Sequence, residues 1–286
     1  MKFSIASALH YHAFGPSTVV CSLSCFETPG QVVLNEKLAL SREVKRTDLI
    51  VGLDGNRFTK LDIKTAGDLT VEYQAIVENS VTCLPSASVP IGNPSAFDAI
   101  ALPYLNPSRY APADRMRIIA NELFGQLKGA LAQALAVEEW LYRNISYQIG
   151  ASNEQSWSLH TFETRAGVCR DFAHLGISFC RALNIPARYV TVYAYHLQPQ
   201  DFHAVFEVYI GGNWLLMDGT RLAPLNGMVR IATGRDASET ALGSLFGNVQ
   251  GQGVQVSTQI AGSETETFDP ISRDALRQRA EVLLLG

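Results

Sequence analysis

Three short segments of the chain carry a thiol, an imidazole and a carboxylate, in that order. They read Gly167-Val168-Cys169-Arg170-Asp171, Asp201-Phe202-His203-Ala204 and Leu216-Met217-Asp218-Gly219-Thr220. A thiol becomes a nucleophile when a nearby base takes its proton, and a carboxylate can hold that base in the correct tautomer. Cys169, His203 and Asp218 are therefore the candidate catalytic residues, acting on a carbonyl carbon.

The position of Cys169 suits a nucleophile, because it begins a predicted amphipathic helix. The apolar stripe of that helix consists of Phe172, Gly176, Phe179 and Leu183. Free backbone N–H groups and the helix dipole favour a negative charge at this end, and Gly167 lets the backbone bend just before it. The backbone N–H of Cys169 can also donate to an oxyanion. A second donor stays open among three candidates, which are Gln148, Gln155 and Trp157.

The spacing of the other two segments places His203 and Asp218 on one face of a sheet. The run Ile210-Gly211-Gly212-Asn213 is typical of a hairpin with a two-residue loop, in which its first and last residues pair. Asp218 then lies opposite Val205, whose side chain points to the same face as that of His203. The two are diagonal neighbours, with Cα atoms roughly 7–8 Å apart. A three-residue loop would instead place Asp218 opposite Phe206, on the other face.

The sequence around these residues resembles the bacterial transglutaminase-like superfamily. The resemblance rests on residues 167–190, on the segments around His203 and Asp218, and on Gly234-Arg235-Asp236-Ala237, and it covers roughly residues 110–250. It implies a papain-like α+β core with a Cys169–His203–Asp218 triad, preceded by an N-terminal domain. Many members have Asp-Pro after the last strand, where this chain has Asp218-Gly219.

This resemblance implies a cysteine peptidase or amide hydrolase that forms an acyl-thioester on its thiol. Two alternatives stay open. One is transfer of the acyl group to an amine, as by a protein-glutamine transglutaminase, and the other is a non-catalytic binding or scaffold protein that retains the fold. Water is in large excess, so amine transfer requires a site that excludes it or binds the amine well. The sequence shows no amine site, so hydrolysis of a protein or peptide substrate is the favoured prediction.

Two further ionisable residues near these motifs fit structural roles. His174 lies about 140° around the helix from Cys169, on the wrong side for a base, so we expect a structural, partly buried histidine. Glu207 shares a strand face with His203. It belongs either to the surroundings of the site or to a buried ion pair.

The cysteines and histidines elsewhere do not form a recognisable ligand set. The five cysteines are odd in number and fit no zinc spacing, which favours a reducing compartment, and we expect a cytoplasmic protein. Cys21, Cys25 and Cys180 fit core packing. His10 and His12 share a strand face, but no third ligand accompanies them. We therefore predict neither a metal site nor a cofactor.

The elements that position the candidate residues fall into two predicted domains. Residues 1–105 form a β-sandwich-like domain, with strands at 17–26, 31–40, 61–63 and 69–77. Residues 80–110 contain five prolines and are the predicted linker. Residues 106–286 form the predicted papain-like catalytic domain.

Helical periodicity begins after the linker. Residues 127–145 predict a helix with an apolar stripe, and Glu138, Glu139 and Arg143 lie on its other side. Strands are predicted at 187–195, 203–210, 214–218 and 254–260. Asp236-Ala237-Ser238-Glu239 resembles a capping box and predicts a short helix, and residues 274–285 predict a terminal helix.

Composition excludes two classes of partner. The chain has 23 basic and 27 acidic residues and a net charge of −4, whereas a duplex-binding domain usually has a basic excess. No run of 18 uncharged apolar residues occurs, so no membrane-spanning segment is predicted. The first apolar residues are short and are interrupted by His10, and we interpret them as a strand rather than a signal peptide.

Overall fold

The computed structural model of the protein describes residues 1–52, 54–90, 98–262 and 267–286. Its helices are α1 (Arg117–Phe124), α2 (Ala130–Asn144), α3 (Ser158–Thr164), α4 (Cys169–Ala182) and α5 (Arg273–Arg279). Its strands are β1 (Lys2–Cys21), β2 (Gln31–Leu40), β3 (Lys45–Val51), β4 (Asn56–Ile63), β5 (Gly67–Asn79), β6 (Val81–Pro85), β7 (Ser146–Tyr147), β8 (Ala166–Gly167), β9 (Ala187–Ala194), β10 (Phe202–Ile210), β11 (Asn213–Met217), β12 (Met228–Gly234), β13 (Gly243–Ile260) and β14 (Glu281–Leu285). Within the described ranges, no helix combines the length and apolar character needed to cross a membrane.

The strands of the N-terminal part join into one antiparallel sheet, in the order β2-β5-β1-β4-β3. The long strand β1 pairs with β5 along residues 2–13 and with β4 along residues 17–21. Strand β13 also pairs with β1, between Phe3 and Cys21 of β1, although β13 lies far later in the chain. The sheet therefore combines early and late segments, and the division near residue 105 stays a prediction.

A second sheet, in the order β11-β10-β9-β12, carries the candidate residues. On one side, Phe179 of α4 shares a core with Phe206 of β10. On the other side, Tyr193 of β9 and Val229 of β12 share a core with Phe3 of β1. The second sheet thus lies between the helices and the strand-rich part, and the predicted α+β class is confirmed.

The hairpin that was used to place His203 and Asp218 has the predicted register. Ile210 pairs with Asn213, and Phe206 pairs with Met217. Gly211 and Gly212 have φ values of 62° and 85°. A two-residue loop of this type needs positive φ at both positions, which glycine adopts without a steric penalty. The two adjacent glycines therefore fix the loop length and, with it, the face on which Asp218 lies.

The predicted terminal helix is wrong in its second half. The helix ends at Arg279, Ala280 has a left-handed φ of 52°, and residues 281–285 form strand β14, which pairs with β6. Pairing gives this leucine-rich segment backbone partners while Leu283 is completely buried. Strand β6 and a 3-10 helix (Ala99–Leu105) lie within the predicted linker. Pro94 of that linker lies outside the described residues. So does Leu53, the first residue of the run Leu53-Asp54-Gly55-Asn56, which predicts a turn.

The predicted helix at residues 236–239 is also wrong. Asp236 Oδ1 accepts hydrogen bonds from the backbone N–H and the hydroxyl of Ser238, at 2.9 and 2.6 Å, which closes a turn. In a capping box the Glu239 carboxylate would accept a hydrogen bond from the backbone N–H of Asp236, and this bond does not form. Glu239 accepts instead from the backbone N–H of Arg235, at 2.8 Å.

Candidate active site

Cys169 is the first residue of α4 and is partly exposed, as the sequence predicted. The turn before it is held by Asp171, whose Oδ2 accepts from the Val168 backbone N–H at 2.8 Å and from the hydroxyl of Ser152. A Cβ atom at position 167 would lie 2.6 Å from the Cβ of Asp171. Gly167 is therefore needed because it makes room for Asp171.

His203 and Asp218 meet in the interior beneath Cys169. His203 Nε2 lies 3.2 Å from Asp218 Oδ2, and both residues are 1% exposed. Asp218 Oδ1 accepts from the backbone N–H and the hydroxyl of Thr220, at 2.9 and 2.7 Å. These bonds hold the carboxylate in one orientation. The predicted diagonal arrangement of His203 and Asp218 is thus present.

The other imidazole nitrogen of His203 is available to the thiol. Among the described residues, Nδ1 has no partner that meets the geometry of a hydrogen bond. The thiol of Cys169 is a close neighbour of the imidazole and contributes to its raised pKa. The fold therefore brings together all three candidate residues, with the imidazole between the thiol and the carboxylate.

Electrostatics favour a charged imidazole at this place. Burial alone would lower the pKa of His203, but attraction to Asp218, a hydrogen bond from the imidazole to that carboxylate and the nearby thiol raise it to about 10. Burial alone would likewise raise the pKa of Asp218, but attraction to His203 and the bonds from Thr220 hold it below its usual range. At neutral pH the pair is therefore an imidazolium and a carboxylate.

The residue after Asp218 is a glycine for a reason of packing. A Cβ atom at this position would lie 2.8 Å from the Cβ of Leu141 in α2. The residue after Asp218 therefore presses against a completely buried helix residue. Glycine allows this close approach and leaves the carboxylate in place.

Sequence reasoning missed Glu138, which it placed on the outer side of α2. Glu138 is completely buried, and its Oε1 accepts from the backbone N–H of Asp218 at 2.7 Å. Its Oε2 lies 2.7 Å from Nε of Arg273 in α5. The sequence did contain a signal, because Glu138 is four residues after Ala134 and three before Leu141, and both are buried.

We expect Glu138→Ala to lower the free energy of unfolding by about 3–5 kcal/mol, because it leaves the buried guanidinium of Arg273 without a counter-charge. Urea unfolding would measure the change. Glu122→Ala, at an exposed position of α1, is the matched control and should stay within about 0.5 kcal/mol of the wild type. A loss no larger than that of the control would show that the ion pair does not support the Asp218 backbone.

The two neighbouring ionisable residues have structural partners. His174 is completely buried rather than partly buried, because its ring stacks between Tyr110 and Tyr189, with centroids 5.0 and 5.1 Å away. Its Nε2 accepts from the Ala237 backbone N–H at 3.2 Å, and burial lowers its pKa to about 3. Glu207 pairs with Arg188 at 2.7 Å and with Arg230. Of the two roles left open for Glu207, the ion pair is therefore the observed one.

All five cysteines are free, and Cys21, Cys25 and Cys180 are buried. His12 contacts Asp68 at 2.5 Å. In the part of the chain that the structure describes, no three His, Cys, Asp or Glu residues form a group that could hold a metal ion.

Comparisons with known proteins agree on the class of fold. Residues 117–219, which include Cys169, His203 and Asp218, match the family model of the Transglutaminase-like superfamily, and residues 1–91 match that of the Bacterial transglutaminase, N-terminal domain. A Cytophaga hutchinsonii crystal structure, described as a "Putative Cysteine Protease", is 37% identical, with a TM-score of 0.94, over 100% of this chain and 98% of that chain.

A second relative is more distant. It is an uncharacterized protein from Mycobacterium leprae, 24% identical over 145 residues. The match covers 48% of this chain and 52% of that protein. The chain thus spans about half the length of the curated relative that it matches.

Proposed function

Because the chain belongs to the bacterial transglutaminase-like superfamily, we propose that it is a cysteine peptidase or amide hydrolase. One observation carries this proposal. The buried His203–Asp218 pair, 3.2 Å apart, lies beside the thiol of Cys169 at the start of α4. A thiolate, an imidazolium and an orienting carboxylate are the groups that acyl transfer through a thioester needs.

The reaction follows from these groups. In the reactive state His203 already carries the proton as an imidazolium, and the thiolate of Cys169 attacks the amide carbon, so that a C–S bond forms and the C=O electron pair moves to oxygen. When that pair returns, the C–N bond breaks and His203 gives its proton to the amine. Water then adds to the thioester while neutral His203 takes its proton. The C–S bond breaks, which releases a carboxylic acid and regenerates the thiolate of Cys169 beside the imidazolium.

Hydrolysis is favoured over amine transfer because of the exposure of the site. Cys169 is partly exposed at the start of its helix, so water can reach the thioester. A transferase would have to keep water out while admitting an amine. The expected substrate is a protein or peptide, and the five free cysteines fit action in a reducing compartment such as the cytoplasm.

The test compares wild type, Cys169→Ala and Cys83→Ala on a cell extract with an added labelled amine. Cys83→Ala is the matched control, because Cys83 is the other partly exposed cysteine and lies in β6. Mass spectrometry reads new peptide termini and amine adducts. New termini with wild type and Cys83→Ala, and none with Cys169→Ala, would support the proposal. Amine adducts alone would identify a transglutaminase, and identical spectra for all three proteins would favour a binding protein.

A further inference from the structure

Strand β7 brings a phenol to the start of α4. β7 pairs in parallel with β8, and Tyr147 lies opposite Gly167, two residues before Cys169. The backbone N–H groups of Ser146 and Gln148 donate to the carbonyls of Arg165 and Gly167, at 2.8 and 2.9 Å. Bonds on both sides of Tyr147 therefore fix its backbone next to the nucleophile.

The side chain of Tyr147 extends along the face of α4 that begins with Cys169. Its ring packs against Phe172, with centroids 6.1 Å apart. Phe172 is three residues after Cys169, and residues at this spacing share a helix face. The strand pairing and this packing therefore place the Tyr147 side chain beside Cys169, and the thiol acts on the phenol as a close neighbour.

Tyr147 is 42% exposed, so its side chain is accessible to a substrate bound at Cys169. The candidates from the sequence are placed less favourably. The side chains of Gln148 and Gln155 are exposed, and in the described ranges neither donates a hydrogen bond to Cys169. Trp157 packs against Arg115, whose guanidinium carbon lies 5.0 Å from the ring centroid.

We propose that the hydroxyl of Tyr147 is the second hydrogen-bond donor to the oxyanion, acting together with the backbone N–H of Cys169. This inference rests on the proposed function, because an oxyanion forms only if Cys169 attacks a carbonyl. As the C–S bond forms, the carbonyl oxygen takes the π electron pair and is held between the two donors. When the pair returns and the leaving group departs, both donors keep their protons.

The chemistry of the phenol fits donation. Burial and the nearby sulfur of Cys169 raise the pKa of Tyr147 above its usual value, so the hydroxyl keeps its proton at neutral pH. A donor that is already in position strengthens its interaction only as charge develops on the oxygen, which lowers the barrier without tighter substrate binding.

The test is Tyr147→Phe, which keeps the ring against Phe172 and removes only the hydroxyl. The probe is 4-nitrophenyl acetate, whose acyl transfer to a thiol releases 4-nitrophenolate. We expect kcat to fall by about 100-fold, with KM close to the wild-type value. Tyr142→Phe is the matched control, because Tyr142 lies on the exposed side of α2 under Arg221. Gln148→Ala and Gln155→Ala should likewise leave kcat unchanged.

A second readout separates donation to the oxyanion from an effect on the thiol. Alkylation of Cys169 by iodoacetamide displaces iodide and forms no oxyanion, so Tyr147→Phe should alkylate at the wild-type rate. An unchanged or higher kcat would overturn the inference, because the hydroxyl would then merely occupy the oxyanion position. Equal losses in acyl transfer and alkylation would also overturn it, by assigning the hydroxyl to the thiol. If the wild type itself shows no Cys169-dependent release, the proposed function fails first.

Discussion

Cys169→Ala should lower the rate of acyl transfer by roughly 10⁴-fold or more, while the protein keeps its fold. The loss is large because no other described cysteine lies beside His203, and without the thiol no thioester can form. Stability should change by only about 1 kcal/mol, because the sulfur is partly exposed at the first turn of α4. The measurements are release of 4-nitrophenolate and thermal unfolding followed by circular dichroism.

Cys180→Ala is the control, because it should lower the stability of the protein and leave acyl transfer unchanged. Cys180 lies on the same helix but is completely buried in the core beneath the second sheet. Its replacement leaves a cavity and should lower the melting temperature, while acyl transfer continues. If Cys169→Ala lowered the melting temperature as much as Cys180→Ala and retained activity, Cys169 would be a packing residue.

Asp218→Asn should reduce kcat by roughly 10²- to 10⁴-fold and change KM little. An amide can still hydrogen-bond to His203, but it carries no charge to stabilise the imidazolium and can select the other tautomer. The bonds from Thr220 to Oδ1 should keep the new side chain in place, so the loss concerns charge rather than position. Steady-state kinetics with 4-nitrophenyl acetate would measure it. Asp201→Asn, a change of the same kind at an exposed position near the site, is the control.

The same variant has a pH-dependent effect on stability. The folded state raises the pKa of His203 to about 10. The stability that this shift contributes is therefore complete below about pH 6.5 and is lost as the pH rises through 10. The lowered pKa of Asp218 adds a contribution that is complete above about pH 4 and is lost at lower pH. Urea unfolding at several pH values should therefore show the largest difference between wild type and Asp218→Asn between about pH 4 and 6.5. A difference that does not vary with pH would contradict this account of the charges.

Local sequence features were sufficient to predict much of the candidate site. Adjacent glycines at 211 and 212 are typical of a two-residue loop, and with that loop the strand register and the common face of His203 and Asp218 follow by counting. Cys169 precedes a helix whose apolar stripe is regular. In each case the determining interactions lie within about 15 residues of sequence. Their catalytic roles stay predictions until the variants are measured.

The parts that could not be predicted depend on distant segments. Tyr147 lies in a two-residue strand, and only its pairing with Gly167 brings it to the nucleophile. Strand β14 was predicted as helix because its leucines fit either periodicity, and its partner β6 lies about 200 residues earlier. Glu138 was assigned to solvent because it is charged, although its burial is explained by Arg273 and the Asp218 backbone.

The activation of Cys169 can be tested most directly against another cysteine of the same chain. Cys169 and Cys83 are the two partly exposed cysteines, and burial raises the pKa of Cys83, which has no imidazolium beside it. We would treat the native protein with limiting iodoacetamide near pH 6.5 and measure the labelling rate at each cysteine by peptide mapping. We expect Cys169 to react at least about 10-fold faster than Cys83, and we expect His203→Ala to remove most of this difference. Equal rates in the wild type, or faster labelling of Cys83, would contradict the claim that Cys169 is an activated nucleophile.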